Sequence, residues 1–315
     1  MREAIRSAHP LIQLGVLVLL GFGAMFVLMM LAMGVFLSMG WGLDVITDPM
    51  SLADGGGEKM IALKVFQLVQ SIGLFFAPYL IYLYFIKEKS YPLALVKGRW
   101  LMLLVFGATM ISALPLINFV AEWNSGLHLP GAFSSIEDWM RQTEKQAEVL
   151  IRSFLHMETV GDLLFNLFLI AFIPALCEEV FFRGTMQPIL LKVVKNYHGA
   201  IWLTAFLFSF FHMQFLGFFP RLLLGAVFGY AAHWSGSLIL PMAGHLINNG
   251  LAVLITWYIG LEAIDEQVET IGANSGEMRY AILSLAVVTA GMVSLYFSSK
   301  RIKKAAIDQD SGIQT

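Results

Sequence analysis

Apolar runs of about 20 residues recur along most of this 315-residue sequence. A helix needs about 20 consecutive apolar residues to cross a hydrocarbon core about 30 Å thick. The chain is 58% hydrophobic and only 13% charged, whereas soluble domains are about 45–50% apolar and about 25% charged. We therefore predict an all-α, polytopic integral membrane protein in a lipid bilayer, without a nucleic-acid partner. The net charge of −2 is uninformative in total, because in a membrane protein the position of the charges relative to the spans matters.

The apolar runs predict about eight transmembrane helices. We place them at 12–38, 62–86, 101–121, 161–185, 199–215, 219–233, 237–259 and 279–298. The fifth and sixth are short and are separated by Gly217 and Pro220, so a single interrupted hairpin that stops before the far surface is the alternative. The even number of spans places both termini on the same side.

The charges of alternate loops predict the orientation, because cytoplasmic loops are enriched in Lys and Arg. One set of loops carries the basic residues Arg2, Arg6, Lys87, Lys89, Lys97, Arg99, Lys192, Lys195, Lys300, Arg301, Lys303 and Lys304. The other set carries Asp44, Asp48, Asp54, Glu58, the loop from Glu122 to Glu158, Glu262, Asp265, Glu266 and Glu269. Both termini are therefore expected to be cytoplasmic, in a membrane of the bacterial inner (plasma) membrane type.

The chain divides into three parts. Residues 1–158 hold the first three spans and a polar segment near 135–157, residues 159–260 hold the intramembrane charges, and residues 261–315 hold the last span and a cytoplasmic tail. Ser135 is the candidate N-cap of the polar segment, with acidic residues in the first turn. We expect an amphipathic helix on the outer membrane face; a lid over a substrate entrance is the alternative.

Ionisable residues inside the spans are confined to three helices in this interpretation. Each costs a few kcal/mol at the centre of a span and therefore needs a partner or a function. The fourth span carries Glu178, Glu179 and Arg183, the fifth carries Phe208 and His212, and the seventh carries His245 and Asn249.

The two adjacent glutamates are expected to have different roles. They lie about 100° apart on a helix and cannot point in the same direction. Glu179 and Arg183 are four residues apart and share a face, which predicts an ion pair. Glu178 is left without a partner in its own helix, as suits a general base, although a structural salt bridge to another helix is the alternative for this motif.

The histidines suggest how a reacting group could be held. A lone histidine in a helix is more often a core residue than a catalyst, but two of them with a free glutamate on a third helix indicate a site. His245 and Asn249 are four apart and could converge on one point. Both can donate hydrogen bonds to a developing oxyanion. Counting along the helices places this site in the cytoplasmic half of the bundle.

At these residues the sequence resembles the CPBP family of intramembrane proteases, also called the CAAX protease and bacteriocin-processing, or Abi, family. The family motifs occur here in order as Glu178-Glu179-x-x-x-Arg183, Phe208-x-x-x-His212 and His245-x-x-x-Asn249. The resemblance extends from about Asp162 to Tyr258. Each motif alone is weak, but the three together on consecutive apolar regions are specific, so residues 159–260 are interpreted as the protease core.

The resemblance implies an endopeptidase in which Glu178 and His212 activate a water and His245 and Asn249 hold the oxyanion, with Glu179, Arg183 and Phe208 in support. Type II CAAX prenyl endopeptidases of this family remove the last three residues of prenylated proteins. The expected partner is a membrane-associated protein or peptide substrate, either CAAX-type or a peptide precursor.

Zinc is the open question of the mechanism. Many family members are described as metalloproteases, and Glu178, His212 and His245 would form a plausible zinc set with one open position. The sequence lacks His-Glu-x-x-His, and its single cysteine, Cys177, excludes a cysteine cage. We favour a mechanism without a cofactor.

Two other functions remain as alternatives: a catalytically silent immunity or scaffold protein, and a proton-coupled transporter that uses the same buried residues. The intact motifs argue against the first. The lack of inverted repeats argues against the second. The oligomeric state is left open.

Overall fold

The computed structural model describes residues 2–40, 58–85, 91–94, 99–263, 268, 270–274 and 276–310. Within these ranges the chain is helical and contains no strand, which confirms the predicted all-α class. Several loop charges that predict the orientation lie outside the described residues, namely Asp44, Asp48, Asp54, Lys87, Lys89, Lys97, Asp265, Glu266 and Glu269. The cytoplasmic location of the termini therefore stays a prediction.

Helices account for most of the described chain. In chain order they are α1 (Arg2–Ser7), α2 (Pro10–Ser38), α3 (Glu58–Ser71), α4 (Ala77–Phe85), α5 (Trp100–Ser112), α6 (Leu114–Ser125), α7 (Ser134–Leu155), α8 (Val160–Asn166), α9 (Ile173–Phe181), α10 (Gln187–Val194), α11 (Tyr197–Phe211), α12 (Phe218–Ser235), α13 (Ile239–Ile259) and α14 (Met278–Asp310). Wider π-helical turns join α3 to α4 (Ile72–Phe76), α8 to α9 (Leu167–Phe172) and α9 to α10 (Phe182–Met186).

Five helical segments in the described ranges are long and apolar enough to cross a membrane. They are Pro10–Ser38, Met60–Phe85, Val160–Val194, Ile239–Ile259 and Met278–Ile302. The pair α5 and α6 is bent by 45° and makes a sixth span if it crosses as one unit. The bend falls where Pro115 enters the first turn of α6, since proline lacks the backbone N–H that would continue the preceding helix.

The short hairpin of α11 and α12 accounts for the difference from the predicted eight spans. α11 has 15 residues and is about 22 Å long at 1.5 Å per residue, and neither α11 nor α12 is among the five long apolar segments. The loop between them is held by Asn124 at the end of α6, whose side chain donates to the carbonyl of Phe215 at 3.1 Å and accepts from the N–H of Phe219 at 2.8 Å.

The outer surface of the bundle is apolar. On α2, a helix of 29 residues, only Gln13, Leu17, Gly21, Met33 and Phe36 are buried. Large side chains such as Leu19 and Phe26 point outward and are exposed. A helix that is apolar on all sides yet little covered by protein is suited to contact with lipid, which agrees with an integral membrane protein.

Helix α7 is amphipathic, as predicted, but Ser135 does not cap it. The N-cap position is Phe133, without a side-chain cap hydrogen bond. The start of the helix is held instead by Glu137, whose carboxylate accepts from the N–H of Leu129 at 2.8 Å and contacts His128 and Arg141. These donors, with the Leu129 N–H first, lower the pKa of Glu137 to about 2.

The same helix is attached to the hairpin loop. The carboxylate of Glu144 accepts from the N–H of Leu216 at 3.1 Å, and the rings of Trp139 and Phe215 lie 5.5 Å apart. Farther along α7, Leu150 and Phe154 pack on the end of α2 and the start of α3. The helix therefore crosses the end of the bundle at which α2 ends and α12 begins.

Helix α2 packs closely against the π-helical turn at Ile72–Phe76 through two glycines. A Cβ added at Gly73 would lie 2.5 Å from Cα of Met25, and one added at Gly21 would lie 2.7 Å from the carbonyl oxygen of Leu74. Small residues allow backbones to approach in membrane bundles, where packing drives association. This glycine seam attaches the N-terminal helix to the segment that supports α9.

We expect Gly73→Ala to destabilise the protein by about 1–3 kcal/mol, because the added methyl meets the backbone of α2 and forces the two segments apart. Thermal unfolding in detergent measures the effect. Gly23→Ala is the matched control, since nothing lies within 4 Å of a Cβ at that position. Equal stability of the two variants would contradict the close packing at the seam.

Candidate active site

The site begins at the two glutamates of α9, which point in different directions as predicted. Glu179 is fully buried, and its Oε1 accepts from Nη1 of Arg183 at 2.8 Å. The other end of the Arg183 guanidinium donates through Nη2 to the carbonyl of Gly225 at 2.8 Å. The predicted ion pair is thus present, and it also fixes α9 against α12.

Aromatic rings surround the buried guanidinium of Arg183. Its Cζ lies 4.6 Å from the ring centroid of Phe208, 5.4 Å from that of Phe228 and 5.9 Å from that of Phe182. A cation over aromatic faces gains electrostatic energy that grows when water is excluded. Phe208, predicted as a supporting residue, therefore contributes its ring to the environment of the charge.

His245 on α13 is hydrogen-bonded to the same carboxylate. Its Nδ1 lies 2.8 Å from Oε1 of Glu179, and its ring stacks on Phe228 with centroids 5.3 Å apart. Because an ionised carboxylate can only accept, Nδ1 carries a hydrogen, and in the neutral form of the ring Nε2 presents a lone pair. That Nε2 lies 3.9 Å from Oε2 of Glu178.

His212 has the same tautomer as His245, but its Nδ1 has a different hydrogen-bond partner. It lies directly after the last residue of α11, and its Nδ1 is 2.7 Å from the backbone carbonyl oxygen of Phe208. A carbonyl accepts only, so Nδ1 is the donor and Nε2 is again the free position. Nε2 of His212 lies 3.9 Å from Oε2 of Glu178. The backbone then turns at Met213, which has a φ of 55°.

The carboxylate of Glu178 lies close to Nε2 of both histidines. Its side chain is only 11% exposed, and within the described residues its buried Oε2 has no hydrogen-bond partner. The 3.9 Å separations to the two Nε2 atoms are too long for direct hydrogen bonds but short enough for one water to bridge. We call Glu178 Oε2, His212 Nε2 and His245 Nε2 the acceptor cluster.

The π-helical turns on either side of α9 shape this arrangement. Leu167–Phe172 precedes Pro174, and Phe182–Met186 contains Arg183. A π-turn inserts one extra residue and shifts the side chains that follow around the helix axis, and such turns are frequent at functional sites. Pro174 lies in a continuous helical segment of 35 residues, Val160–Val194.

Asn249 makes its hydrogen bonds outside the acceptor cluster. Its Nδ2 donates to the carbonyl of Ile170 in the first π-turn at 3.0 Å, and its Oδ1 accepts from Asn248 at 3.1 Å. In the described part of the chain no hydrogen bond joins Asn249 to Glu178 or to either histidine of the cluster. The convergence of Asn249 with His245 on one point and its role in holding an oxyanion stay predictions.

The sequence interpretation missed two charged residues within spans, Lys64, which is buried on α3, and Arg221 on α12, which lies near the site. Arg221 lies within electrostatic range of both Glu178 and His212, and its guanidinium donates to the carbonyl and to the side-chain oxygen of Gln214, each at 2.8 Å. A Cβ on Gly217 would lie 2.5 Å from Nη2 of Arg221. An arginine among the apolar residues of α12 was itself the available signal.

The donor types of Glu178, His212 and His245 suit zinc, but their spacing does not match a zinc site. Ligands of a tetrahedral zinc ion lie about 3.3 Å apart, given bonds of about 2.0–2.1 Å, whereas the Glu178–histidine distances are 3.9 Å. Among the residues that the structure describes, no group of three or more His, Cys, Asp or Glu side chains is arranged to hold a metal ion.

Comparison with known proteins identifies the central segment. Residues 160–251 match the family model described as type II CAAX prenyl endopeptidase Rce1-like, which confirms the predicted family resemblance. The matched segment contains every residue of the three motifs. No curated protein and no solved structure matches the chain.

Glu179→Gln and Glu178→Gln should affect stability very differently. Glu179 compensates the charge of a fully buried arginine, and removing one partner of a buried pair costs about 3–5 kcal/mol. Glu178 makes no such bond, so its substitution should leave the thermal unfolding temperature in detergent close to that of the wild type. Equal destabilisation by both variants would contradict the division of roles between the two glutamates.

Proposed function

We propose that this protein is an intramembrane endopeptidase that hydrolyses peptide bonds of membrane-associated substrates with a water activated by Glu178. The observation that carries the proposal is the acceptor cluster. Among the residues that the structure describes, the buried Oε2 of Glu178 has no hydrogen-bond partner and lies 3.9 Å from Nε2 of each of the two histidines. Three acceptors without a donor among them suit a molecule that donates two hydrogen bonds, and water is such a molecule.

The nucleophilic step follows from this geometry. A water placed between Glu178 and His212 donates one hydrogen bond to Oε2 and one to Nε2, so that its lone pair is directed at the scissile carbonyl carbon. As the C–O bond forms, Glu178 accepts the proton and the carbonyl π electrons move onto oxygen. The protonated Glu178 then gives the proton to the leaving nitrogen as the C–N bond breaks.

His245 can donate to the oxyanion only in one protonation state. Because Nδ1 is bound to Glu179, a hydrogen on Nε2 makes the ring an imidazolium, and Glu179 is the adjacent counter-ion. The second N–H of Asn249 and the positive charge of Arg221 are further candidates to favour the negative charge of the transition state. Preorganised donors of this kind are worth about 3–4 kcal/mol each.

The buried residues around His245 position the site and do not take part in the reaction itself. Glu179 and Arg183, enclosed by Phe208 and its aromatic neighbours, hold the His245 ring and α9 in place without reaching the reacting atoms. Such orienting partners commonly fix the tautomer of a functional histidine. We therefore assign Glu178 and His212 to the water, His245 and Asn249 to the oxyanion, and Glu179, Arg183 and Phe208 to positioning.

The substrate class that fits this site is a protein or peptide held at the membrane, either a CAAX-type C-terminus or a peptide precursor. The name of the matched family supports the first possibility. The apolar bundle surface supports a reaction within a lipid bilayer, and a bacterial inner membrane is the proposed location.

We expect Glu178→Gln to lower cleavage by at least about a hundredfold, because it removes the general base while it keeps the shape of the side chain. The measurement is a proteomic comparison of membrane-protein termini in cells that carry the wild type or the variant. Glu148→Gln, on the exposed face of α7, is the matched control. Wild-type termini in the Glu178→Gln cells would refute the mechanism, and unprocessed termini in all cells would favour a silent scaffold.

The proposed mechanism needs no metal ion. Activity of the purified protein should therefore persist in excess chelator, and elemental analysis should find far less than one zinc ion per chain. Loss of activity in chelator that returns on addition of zinc, together with stoichiometric metal in the untreated protein, would replace this mechanism with the zinc-dependent one.

A further inference from the structure

A cavity lies between α2, α3 and α7, and Gln214 is the one lining residue that belongs to the segment matching the protease family. Its volume is about 660 Å³, within the range of about 300–1,000 Å³ that is usual for ligand sites. It is lined by α2, α3, α7 and the hairpin loop and is open toward the outside of the bundle, where Phe26 and Met30 are exposed. The lining residues are Phe26, Met29, Met30, Met33, Leu63, Phe66, Gln67, Gln70, Ala147, Leu150, Ile151, Phe154 and Gln214. We call it the methionine-lined cavity.

The otherwise apolar lining of this cavity includes two polar side chains of α3, Gln67 and Gln70. Gln67 and Gln70 are three residues apart on α3 and so share a face. Gln67 is half-buried and Gln70 is exposed on the outer surface of the bundle. Within the described residues neither side-chain amide has a hydrogen-bond partner, although both belong to a segment that is apolar enough to span the membrane. An amide without a partner in an apolar environment costs about 1–3 kcal/mol. A ligand that supplies both a donor and an acceptor would remove that cost.

The cavity lining is linked to the candidate active site through two contacts. Gln214, one of the lining residues, lies two residues after His212 and accepts hydrogen bonds from the guanidinium of Arg221. On the α3 side, the π-turn that follows Gln70 carries Phe75, whose ring lies 5.5 Å and 5.6 Å from those of Phe181 and Phe182. The lining is therefore connected to the hairpin loop and to α9, the two segments that carry His212 and Glu178.

We propose that the methionine-lined cavity binds the substrate as an extended peptide, with the amides of Gln67 and Gln70 hydrogen-bonded to its backbone. This rests on the proposed peptidase function. An extended peptide in a membrane has N–H and C=O groups that must be satisfied, and a glutamine amide offers the complementary acceptor and donor. A hydrocarbon chain alone would leave both glutamines without partners, so the polar pair favours a peptide over an isoprenoid or acyl chain.

The walls of the cavity indicate which side chains the peptide carries. Met29, Met30 and Met33 supply flexible thioether side chains, which adapt to apolar groups of different shape. The opposite wall is the apolar face of α7, which Glu144 ties to the hairpin loop at Leu216. The peptide segment is therefore apolar but not of one fixed sequence, and α7 covers it as the lid considered for this helix.

The test is a binding measurement on the full chain in detergent with Glu178→Gln as background, so that no probe is cleaved. One probe is a fluorescein-labelled peptide of eight apolar residues, a second is the same peptide with alternate backbone nitrogens methylated, and a third is labelled farnesyl-cysteine methyl ester without a peptide. Gln67→Met and Gln70→Met, singly and together, remove the amides while they keep side-chain length. Gln146→Met on the exposed side of α7 is the matched control.

We expect the double variant to bind the first probe about tenfold more weakly, as the loss of two hydrogen bonds predicts, and to bind the farnesyl probe unchanged. The N-methylated peptide should bind weakly even to the Glu178→Gln protein with both glutamines in place. This result tests the role of the peptide backbone without a change to Gln67 or Gln70. Unchanged affinity for the first probe, or equal loss for the peptide and farnesyl probes, would overturn the peptide assignment.

The proposed peptidase function and the proposed role of the cavity can be refuted independently. Cleavage by the wild-type protein tests the peptidase function, and probe binding in the Glu178→Gln background tests the cavity. If the wild type cleaves but the glutamine variants change neither KM nor probe affinity, only the cavity proposal is lost. If peptide binding depends on the glutamines but Glu178→Gln cells keep wild-type termini, only the catalytic proposal is lost.

Discussion

The buried network of Arg183, Glu179 and His245 is the interaction on which the rest of the site depends. A guanidinium with no exposed surface is sustainable only because a carboxylate, a backbone carbonyl and aromatic rings compensate it. The network joins α9, α12 and α13, so it fixes the relative positions of three helices that share no local sequence contact. It also sets the tautomer of His245, and with it the direction of the lone pair that faces Glu178.

The surroundings of Glu178 differ from this network in one respect. The hydrogen bonds that the nearby guanidinium groups make go to other residues, those of Arg183 Nη1 and Nη2 to Glu179 and Gly225, and those of Arg221 to Gln214. The two histidines also use their Nδ1 hydrogens elsewhere. The protein thus concentrates hydrogen-bond acceptors at one buried position, an arrangement that favours an exchangeable small molecule over a permanent internal bond.

Local sequence information was enough to predict part of this site. Glu179 and Arg183 are one helical turn apart, so their ion pair follows from helix geometry alone. The bond between His245 and Glu179 joins residues that are 66 positions apart and depends on how α13 packs, which periodicity does not encode. Arg221 was missed for a related reason, since its approach to Glu178 depends on the short hairpin. Hydropathy predicted the helices, but not the π-turns, because these change hydrogen-bond register without changing composition.

The position of the arginine four residues after its glutamate also matters for how the protein is made. Helices enter the membrane as they are synthesised, and Glu179 and Arg183 must do so before α12 and α13 exist to surround them. Because the pair lies within one helix, each charge carries its own counter-ion into the bilayer, and the segment can be inserted at a lower cost than two separate charges would impose. Glu178 has no such companion, so it is the one group of α9 whose entry into the membrane requires either a proton or later partners.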